Sequence, residues 1–483
     1  MTKFIAITAA IALTQAAHAE DLLIKLASPI SVEQAVKSMN ANGLKASAVS
    51  DTWIEVKGNV QLSQFKGFLE SGSVIHAQKN FKLNTFKNPS LEALRKNPAM
   101  LKKVLAKLAS SGVNTMAVAA DNPAIPNAPA RTTGADPLFS KQWGMNDINV
   151  TNAWKFNPSG SEVVVAVIDT GVDYTHEDLA GNLWRNPSEI PNNGIDDDRN
   201  GYIDDVIGWD MIDNDNKPYD LAGSTLDIVL KGANPGHGTH CAGNVAAVGN
   251  NGKGIAGVAP EAKIMALRFI GNEGGTTADA IKAIRYAVDN GAKVLSNSWG
   301  SSGEDPKEAT ENQALRDAVQ YAQDKGVLFI AAAGNGDQMG KGYDNDSSKV
   351  PAYPASYPHD NIISVAAIDS SDNLGTFSNF GFTSVDIGAP GVKVFSTIVG
   401  SKYSDSIGFS LPGIFEMPLA SWDGTSMATP HVAGAAALYW SAYPAKTWQE
   451  VKMAILSSAK KTSTLNGKVS SGGKLNVEAL MKY

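Results

Sequence analysis

The sequence predicts a large α/β domain, in which a parallel sheet is flanked by helices, preceded by a small α+β domain. A chain of 483 residues is long enough for two domains, and its 43% hydrophobic and 18% charged residues are typical of globular proteins. From about residue 136 onwards, short apolar strands alternate with helices. These strands are continuous runs of Val, Ile and Ala, which favours strands buried on both faces of a parallel sheet.

The strands predicted for the large domain each end in glycine or in a polar residue. They are VVVAVIDTG (163–171), KIMALRFIG (263–271), AKVLSNSWG (292–300), GVLFIAAAGN (326–335) and NIISVAAID (361–369). The helices between them include TADAIKAIRYAVDNG (277–291) and ENQALRDAVQYAQDKG (311–326). Asp169, Asn297 and Asn335 follow three of the strands. Because sites in parallel sheets form at the carboxyl ends of strands, we expect a functional site there.

The small domain is predicted over residues 20–87. DLLIKLA (21–27), SAVSDTWIEVKG (47–58) and SVIHAQKNF (73–81) are extended patterns, and SVEQAVKSMNANG (31–43) and VQLSQFKGFLE (60–70) have helical spacing. The order βαββαβ indicates a ferredoxin-like module. Residues 88–135 then form a helical segment, SLEALRKNPAMLKKVLAKLASSG, and an exposed linker rich in Pro and Ala.

Residues 1–19 have the pattern of a secretory signal peptide. One early lysine precedes an apolar stretch from Phe4 to Leu13, and Ala17-His18-Ala19 forms a small-residue cleavage site. This stretch is too short to span a bilayer, and no later segment reaches the length of a membrane helix. We therefore expect export to the cell exterior, with retention in a periplasm as an open alternative.

The charge is unevenly distributed along the chain. The net charge is −7, yet residues 20–131 contain 14 Lys or Arg against 8 Asp or Glu, and residues 132–483 contain 26 against 40. A basic front part and an acidic large part should attract each other, and an acidic large domain argues against nucleic-acid binding. Cys241 is the only cysteine, so no intramolecular disulfide stabilises the exported chain and bound calcium is the candidate replacement.

Ser426 stands in DGTSMATPHVAG (423–434), where a loop becomes an apolar helix. A serine there either caps the helix or acts as a nucleophile. A nucleophilic serine needs a base, and the base needs a carboxylate that fixes its tautomer. His237, between glycines in PGHGTHCAG, is the best candidate base, whereas His431 is expected to be a core histidine. Asp169 ends a buried strand, where a carboxylate is costly unless it is paired.

Four segments in order, VAVIDTGVD, GHGTHCAG, AAAGN and GTSMATPHVAG, resemble the signature segments of the subtilisin-like serine proteases, nearest to the thermitase and proteinase K branches. The resemblance covers residues 136–483 and implies a subtilisin-like catalytic domain. It makes Ser426 the nucleophile, His237 the general base and Asp169 its orienting carboxylate. Asn335 would donate to the oxyanion together with the Ser426 backbone N–H.

The resemblance also implies how polypeptide substrates bind. In this family the peptide lies as an extended strand between two enzyme segments, which correspond here to Glu273–Gly275 and Ser298–Gly300. The residues expected to bind substrate are Gly274, Gly275, Ser298, Trp299 and Gly300. Main-chain pairing places little demand on side chains, which favours broad specificity.

Three groups of acidic residues are candidates for structural calcium. The first group occupies positions 1, 3, 5, 6 and 9 of a calcium loop, although position 12 is Ile207 and a bare acidic loop is the alternative: Asp196, Asp198, Asn200, Gly201 and Asp204. The second resembles the thermitase calcium site: Asp210, Asp213 and Asp215. The third resembles the tight calcium site of the family: Asp136, Asp178 and Asn251.

Three rival interpretations concern the chemistry of the site. Cys241 lies four residues after His237 and could be a thiol nucleophile, but a buried free cysteine is usually a small hydrophobe. Asp169-Thr170-Gly171 matches the triplet of aspartic proteases, which need a second such triplet that the chain lacks. A catalytically silent peptide-binding protein on the same fold is the third.

The basic first part resembles the propeptide of these proteases, which implies a self-cleaving precursor whose propeptide is an intramolecular inhibitor. We predict a processing site between Asn114 and Ala135, and a monomer after processing. Two stretches depart from the usual family pattern: LAGSTLDIVLKGANP (221–235) and SKYSDSIGFSLPGIFEMPLASW (401–422). Both should lie near the active site, where they would shape or cover a pocket.

Overall fold

The computed structural model describes residues 21–27, 31–58, 68, 73–110, 122–130, 132–156, 163–301, 311–337, 339–411 and 414–483, with backbone alone at 107–110, 409–411 and 414–418. The predicted signal peptide and most of the helix predicted over 60–70 lie outside these residues, as does part of the predicted processing region. Among the described residues, no helix combines the length and apolar character that crossing a membrane requires.

The small domain is built on a four-stranded antiparallel sheet. Its strands and first helix are β1 (Asp21–Leu26), α1 (Val32–Ala41), β2 (Lys45–Ala48), β3 (Trp53–Lys57) and β4 (Val74–Lys79). The order across the sheet is β2-β3-β1-β4, and every neighbouring pair is antiparallel, as in a ferredoxin-like module. The run 47–58, predicted as one extended segment, is divided because a turn separates β2 from β3.

A strand and two helices follow the small sheet: β5 (Lys82–Thr85), α2 (Pro89–Arg95) and α3 (Pro98–Ser110). The sequence pattern predicted one continuous helix over this region. Two helices form because Pro98 lacks a backbone N–H and disfavours the helical conformation of the residue before it. Asn88 caps the first of them, since its Oδ1 accepts from the N–H of Leu91 at 2.9 Å.

The large domain contains a nine-stranded sheet with the order β19-β20-β14-β13-β12-β10-β6-β8-β7, parallel except for β19 at one edge. Its strands are β6 (Val164–Asp169), β7 (Gly208–Asp210), β8 (Lys263–Arg268), β10 (Val294–Asn297), β12 (Leu328–Ala332), β13 (Ile362–Ile368), β14 (Ile387–Pro390), β19 (Lys460–Lys461) and β20 (Gly473–Lys474). The strands outside this sheet are β9 (Gly275–Thr276), β11 (Trp299–Ser301), β15 (Ser396–Ile398), β16 (Lys402–Ser404), β17 (Ser406–Leu411) and β18 (Ile414–Ser421).

The helices of the large domain are α4 (Trp143–Asp147), α5 (Val150–Ala153), α6 (Thr225–Lys231), α7 (His237–Ala246), α8 (Thr277–Asp289), α9 (Gln313–Asp324), α10 (Thr425–Ala442), α11 (Trp448–Ser457) and α12 (Val477–Met481), with short 3₁₀ turns at Phe139–Lys141, Trp154–Phe156 and Ala180–Asn182. Helices α7 and α10 cover one face of the sheet, while α8 and α9 cover the other. Side chains of β6 alternate between the two faces. Val165 and Val167 belong to the hydrophobic core that includes α7 and α10, and Ala166 and Ile168 belong to the core that includes α8 and α9. The prediction of a parallel sheet buried on both faces is therefore confirmed.

The small domain packs on the large one through α9, and the strand β5 that follows it pairs with β9 and β11. Lys25 Nζ and Trp53 Nε1 both donate to Oδ2 of Asp317, at 2.6 and 2.9 Å. Gln78 donates from Nε2 to Asn312 Oδ1 at 2.9 Å and accepts on Oε1 from the N–H of Ala314, also at 2.9 Å. The start of α9 thus supplies polar partners for the small sheet.

Candidate active site

Asp169, His237 and Ser426 lie together at the carboxyl edge of the large sheet. Asp169 is the last residue of β6, His237 is the first residue of α7, and Ser426 is the second residue of α10. All three are buried. Nδ1 of His237 lies 2.7 Å from Oδ1 of Asp169, so the buried carboxylate has the partner that its environment demands.

Asp220, a buried carboxylate that the sequence analysis left without a role, holds the segments that carry Asp169 and His237. One oxygen accepts from Thr170 Oγ1 at 2.9 Å and from Asn234 Nδ2 at 2.6 Å, and the other accepts from the N–H and hydroxyl of Thr239. Asn234 Oδ1 in turn accepts from the N–H of His237 at 2.9 Å. Burial raises the pKa of Asp220 to about 6. In the sequence, Asp220 is the last of nine aspartates between residues 196 and 220. A run of acidic residues is usually a solvated loop, so its buried role was not recognisable.

The charge of His237 is decided by two opposing effects. Burial lowers the pKa of the imidazole, but the interactions with Asp169 and, after it, Cys241 together bring the pKa above its ordinary value. Nε2 of His237 is buried and has no hydrogen-bond partner among the described residues. This nitrogen is the one that remains available to a reacting group.

Ser426 does not cap α10, because its hydroxyl donates to the carbonyl of Ser298 at 3.0 Å. The free end of the helix is instead satisfied by Asn335, whose Oδ1 accepts from the N–H and the hydroxyl of Thr425, both at 2.8 Å. These two bonds fix the orientation of the Asn335 amide. Its Nδ2 donates to the carbonyl oxygen of Lys87 at 3.2 Å, so the amide faces a peptide carbonyl next to Ser426.

The two segments expected to bind substrate enclose a strand of the chain itself. β5 lies between β11 and β9 and is antiparallel to both, with Asn84 opposite Gly300 and Leu83 opposite Gly275. Gly300 requires glycine, because a Cβ there would lie 2.6 Å from the carbonyl oxygen of Tyr353 and 2.5 Å from Cζ of Phe86. Trp299 is fully buried beneath the groove. The expected binding residues therefore line a groove that accepts an extended backbone at very close approach.

His431, His240 and Cys241 have structural surroundings. His431 Nδ1 lies 2.8 Å from the carbonyl of Met427 and burial lowers its pKa to about 4, which confirms it as a core histidine. His240 Nε2 lies 3.0 Å from the carbonyl of Val394, and its ring stacks on Trp422. Cys241 Sγ lies 3.9 Å from His237 Nδ1, and burial raises the pKa of its thiol. A neutral buried thiol is a poor nucleophile.

The first candidate calcium group is ordered, but the structure brings together a different set of carboxylates. Asp196 and Asp204 accept from backbone N–H groups of their own loop. Asp198 instead lies with Glu189 and Asp205, each offering an oxygen within 4.8 Å of the others. Burial raises the pKa of Asp205 to about 6. Sequence spacing could not reveal Glu189, which precedes the loop, and Asp205 falls outside the calcium-loop positions.

The second candidate group has an arginine as its counterion. Arg268 Nη1 donates to the buried carboxylate of Asp210 and, at 2.6 Å, to Asp213. Asp215 accepts on Oδ1 from the N–H of Lys217 at 2.9 Å. These residues do not fit a calcium ion, because a guanidinium already supplies the positive charge that the buried carboxylate needs.

The third candidate group joins distant parts of the chain. Asp136 accepts from the N–H groups of Asn250 and Asn251, at 2.8 and 3.0 Å. The side chain of Asn251 contacts Asp178 Oδ1 at 2.6 Å. Burial raises the pKa of both Asp136 and Asp178. Asn251 thus links the two carboxylates, to Asp136 through its backbone N–H and to Asp178 through its side-chain nitrogen. Carboxylate and amide oxygens are the ligands that a hard cation prefers.

Comparison with known proteins identifies the large domain. The model of the subtilase family matches residues 160–473. Thermitase from Thermoactinomyces vulgaris is 37% identical over 353 residues, which are 73% of this chain and all of that protein. The thermophilic serine proteinase of Bacillus sp. (strain AK1) is 38% identical over 323 residues, covering 67% of this chain and 62% of that protein.

A solved structure shares the fold over most of this chain. The crystal structure of fervidolysin from Fervidobacterium pennivorans, described as a keratinolytic enzyme related to subtilisin, aligns with a TM-score of 0.62 and 23% identity. The alignment covers 96% of this chain and 61% of fervidolysin. Because the identity is low, the likeness concerns the fold alone. The family match and the thermitase identity together show that this chain belongs to the subtilase family and is a subtilisin-like serine endopeptidase.

Proposed function

We propose that the protein hydrolyses peptide bonds through an acyl-enzyme formed on Ser426, with His237 as general base and Asp169 as its orienting carboxylate. The observation that carries this proposal is the 2.7 Å contact between His237 and Asp169 beside a groove that already holds an extended peptide strand. Asp169 fixes the tautomer in which Nδ1 carries a proton, which leaves Nε2 to accept the proton of Ser426. The hydroxyl must turn from the Ser298 carbonyl towards Nε2 for this step.

Ser426 Oγ then attacks the carbonyl carbon, and His237 passes its proton to the leaving amine. Asn335 Nδ2 and the Ser426 N–H stabilise the oxyanion, and the bonds from Thr425 hold the amide of Asn335 in place. A water molecule finally hydrolyses the ester. Polypeptides of varied sequence are the proposed substrates, because β9 and β11 pair with the backbone of the peptide.

The proposal includes secretion as an inactive precursor. Residues 1–19 supply the signal, and the basic domain that follows inhibits the catalytic domain in the same chain. Its fit to α9 and the position of β5 in the groove support inhibition, since a substrate could not enter beside that strand. The proposed final form is a monomer that consists of the large domain alone.

Two calcium sites are part of the proposal, each with a structural role. Asp136, Asp178 and Asn251 would hold one ion and tie the start of the large domain to the loop after α7. Asp198, with Glu189 and Asp205, would hold another and order the acidic loop. A cation bound only by the native state adds to the free energy of unfolding without a disulfide.

Replacing the nucleophile tests the core of the proposal. Ser426→Ala should abolish peptide hydrolysis and self-processing and leave the fold intact, because the lost hydroxyl makes one hydrogen bond. Intact mass of the full precursor, wild type beside variant, measures processing directly. Labelling by a fluorophosphonate separates the enzyme from a silent peptide-binding protein, which would not react. Hydrolysis that persists in the variant would contradict the assignment.

Replacing Asp169 tests the orienting carboxylate. Asp169→Asn should lower kcat by about 10⁴-fold, the loss typical of a wrong histidine tautomer. The carboxylate raises the pKa of His237, and the active form has neutral His237. Removing the carboxylate therefore lowers this pKa and moves the acid limb of the kcat/KM profile to lower pH. A limb that stays in place would show that another group titrates.

Asn335→Asp tests the oxyanion donor with its structural role preserved. The carboxylate still accepts from Thr425 but cannot donate to an oxyanion, so kcat should fall by about 10²–10³-fold. KM and the melting temperature should change little. A comparable loss of thermal stability would instead show that Asn335 serves the fold.

Removal of calcium tests the metal sites. Excess EDTA should lower the melting temperature by about 5–10 °C, since an ion present at 100 times its Kd stabilises the native state by about 2.7 kcal/mol. Asp178→Asn and Asp205→Asn should each remove one equivalent of calcium in elemental analysis, and Asp213→Asn should remove none. A melting temperature that EDTA leaves unchanged would refute structural calcium.

A further inference from the structure

The chain does not stop in the active-site groove but runs through it and docks on the far side. Residues before Lys87 pair with β9 and β11, and the Lys87 carbonyl accepts from Asn335. Directly afterwards, Asn88 Nδ2 donates to the carbonyl oxygens of Ser421 and Asp423, at 3.0 and 3.1 Å. The peptide is therefore fixed on both sides of the reacting position.

Helices α2 and α3 pack on a surface formed by α6 and β18, which we call the leaving-group face. A shared apolar cluster contains Leu94, Val104, Val229 and Leu419, with Leu101 and Leu105 packed against it. Ser90 Oγ donates to the Asp423 carboxylate and contacts Ser421 Oγ at 3.0 Å.

Arg95 completes this interface at the end of α6. Its Nε donates to the carbonyl of Val229 at 2.9 Å, and its Nη2 donates to the carbonyl of Ile228. These carbonyls belong to the last turn of α6, which has no further helix to satisfy it. A cation also interacts favourably with the negative end of the helix dipole. Arg95 is thus the polar anchor of the interface.

The leaving-group face is built from the two stretches that depart from the family pattern, since α6 lies within 221–235 and β18 within 401–422. We infer that these stretches form a docking site for the amphipathic helix pair 89–110 of the same chain, and that the docked pair keeps the enzyme inhibited after the first self-cleavage. The inference rests on the proposed function. It names a second inhibitory contact beyond the strand in the groove.

The first cleavage breaks the Lys87–Asn88 peptide bond, because Phe86 lies against Gly300 and the Lys87 carbonyl faces Asn335. Ser426 Oγ takes the acyl part, the new amine takes the proton from His237, and water then releases the carboxylate. The two products are released differently. The part before the cut is no longer covalently attached, and only its noncovalent contacts with the groove and with α9 hold it. The helix pair remains tethered to the large domain, so its effective concentration stays high until a later cut beyond Ser110.

A processing time course of the full precursor tests this inference. Intact mass and N-terminal sequencing follow the species, and hydrolysis of a chromogenic peptide follows activity in the same samples after dilution. The first new terminus should be Asn88, and this species should show less than a tenth of the final activity. Arg95→Ala and Leu94→Ser should raise the activity of that species at least tenfold. Lys103→Ala, which removes an exposed cation from α3, should have no effect.

Every fully processed form lacks residues 89–110, so the final activities of all variants must agree. A first terminus found only between residues 114 and 135 would overturn the inference, as would a first species as active as the final form. Equal inhibition in the Arg95 and Leu94 variants would also overturn it. Failure of the proposed function would look different, because the final form would then lack activity that depends on Ser426.

Discussion

The active site depends on a carboxylate that is buried at the end of a strand and has one titratable partner. Asp169 is fully buried, and the imidazole of His237 is 2.7 Å away. Such a pair is stable only if both segments are held rigidly, since a separated carboxylate would be left uncompensated in the core. Asp220 provides that rigidity, because it joins the residue after Asp169 to the first turn of α7.

The parts of the fold that could be predicted from the sequence are those with a strong local signal. Continuous apolar runs identified the five central strands, and their carboxyl ends placed Asp169 and Asn335 at one edge. The strand β5 could not be predicted in this way, because FKLNT has little pattern of its own. It is extended because β9 and β11 offer unpaired backbone groups on either side. These partners are brought together only by the tertiary fold, so no local sequence pattern reveals them.

The acidic residues show the same limit from another direction. Spacing predicted a calcium loop from Asp196 to Asp204, but the ligand set depends on which distant side chains face it. Glu189 and Asp205 lie with Asp198 in one carboxylate cluster. Beside Asp210, the guanidinium of Arg268 occupies the place that a metal ion would take. A pattern in the sequence reports the number of carboxylates. Only the packing shows whether an ion, an arginine or a backbone N–H compensates each one.

A site that recognises peptide backbone has no means to reject its own chain. Main-chain pairing with β9 and β11 is independent of side chains, so the same bonds that favour broad specificity also retain β5 in the groove. Once a bond in that segment is cut, the part before the cut loses its covalent tether and with it the high effective concentration at the groove. Lasting control must therefore come from contacts outside the groove that do read side chains. The leaving-group face has that character, because its contacts to Leu94 and Arg95 are specific to this chain.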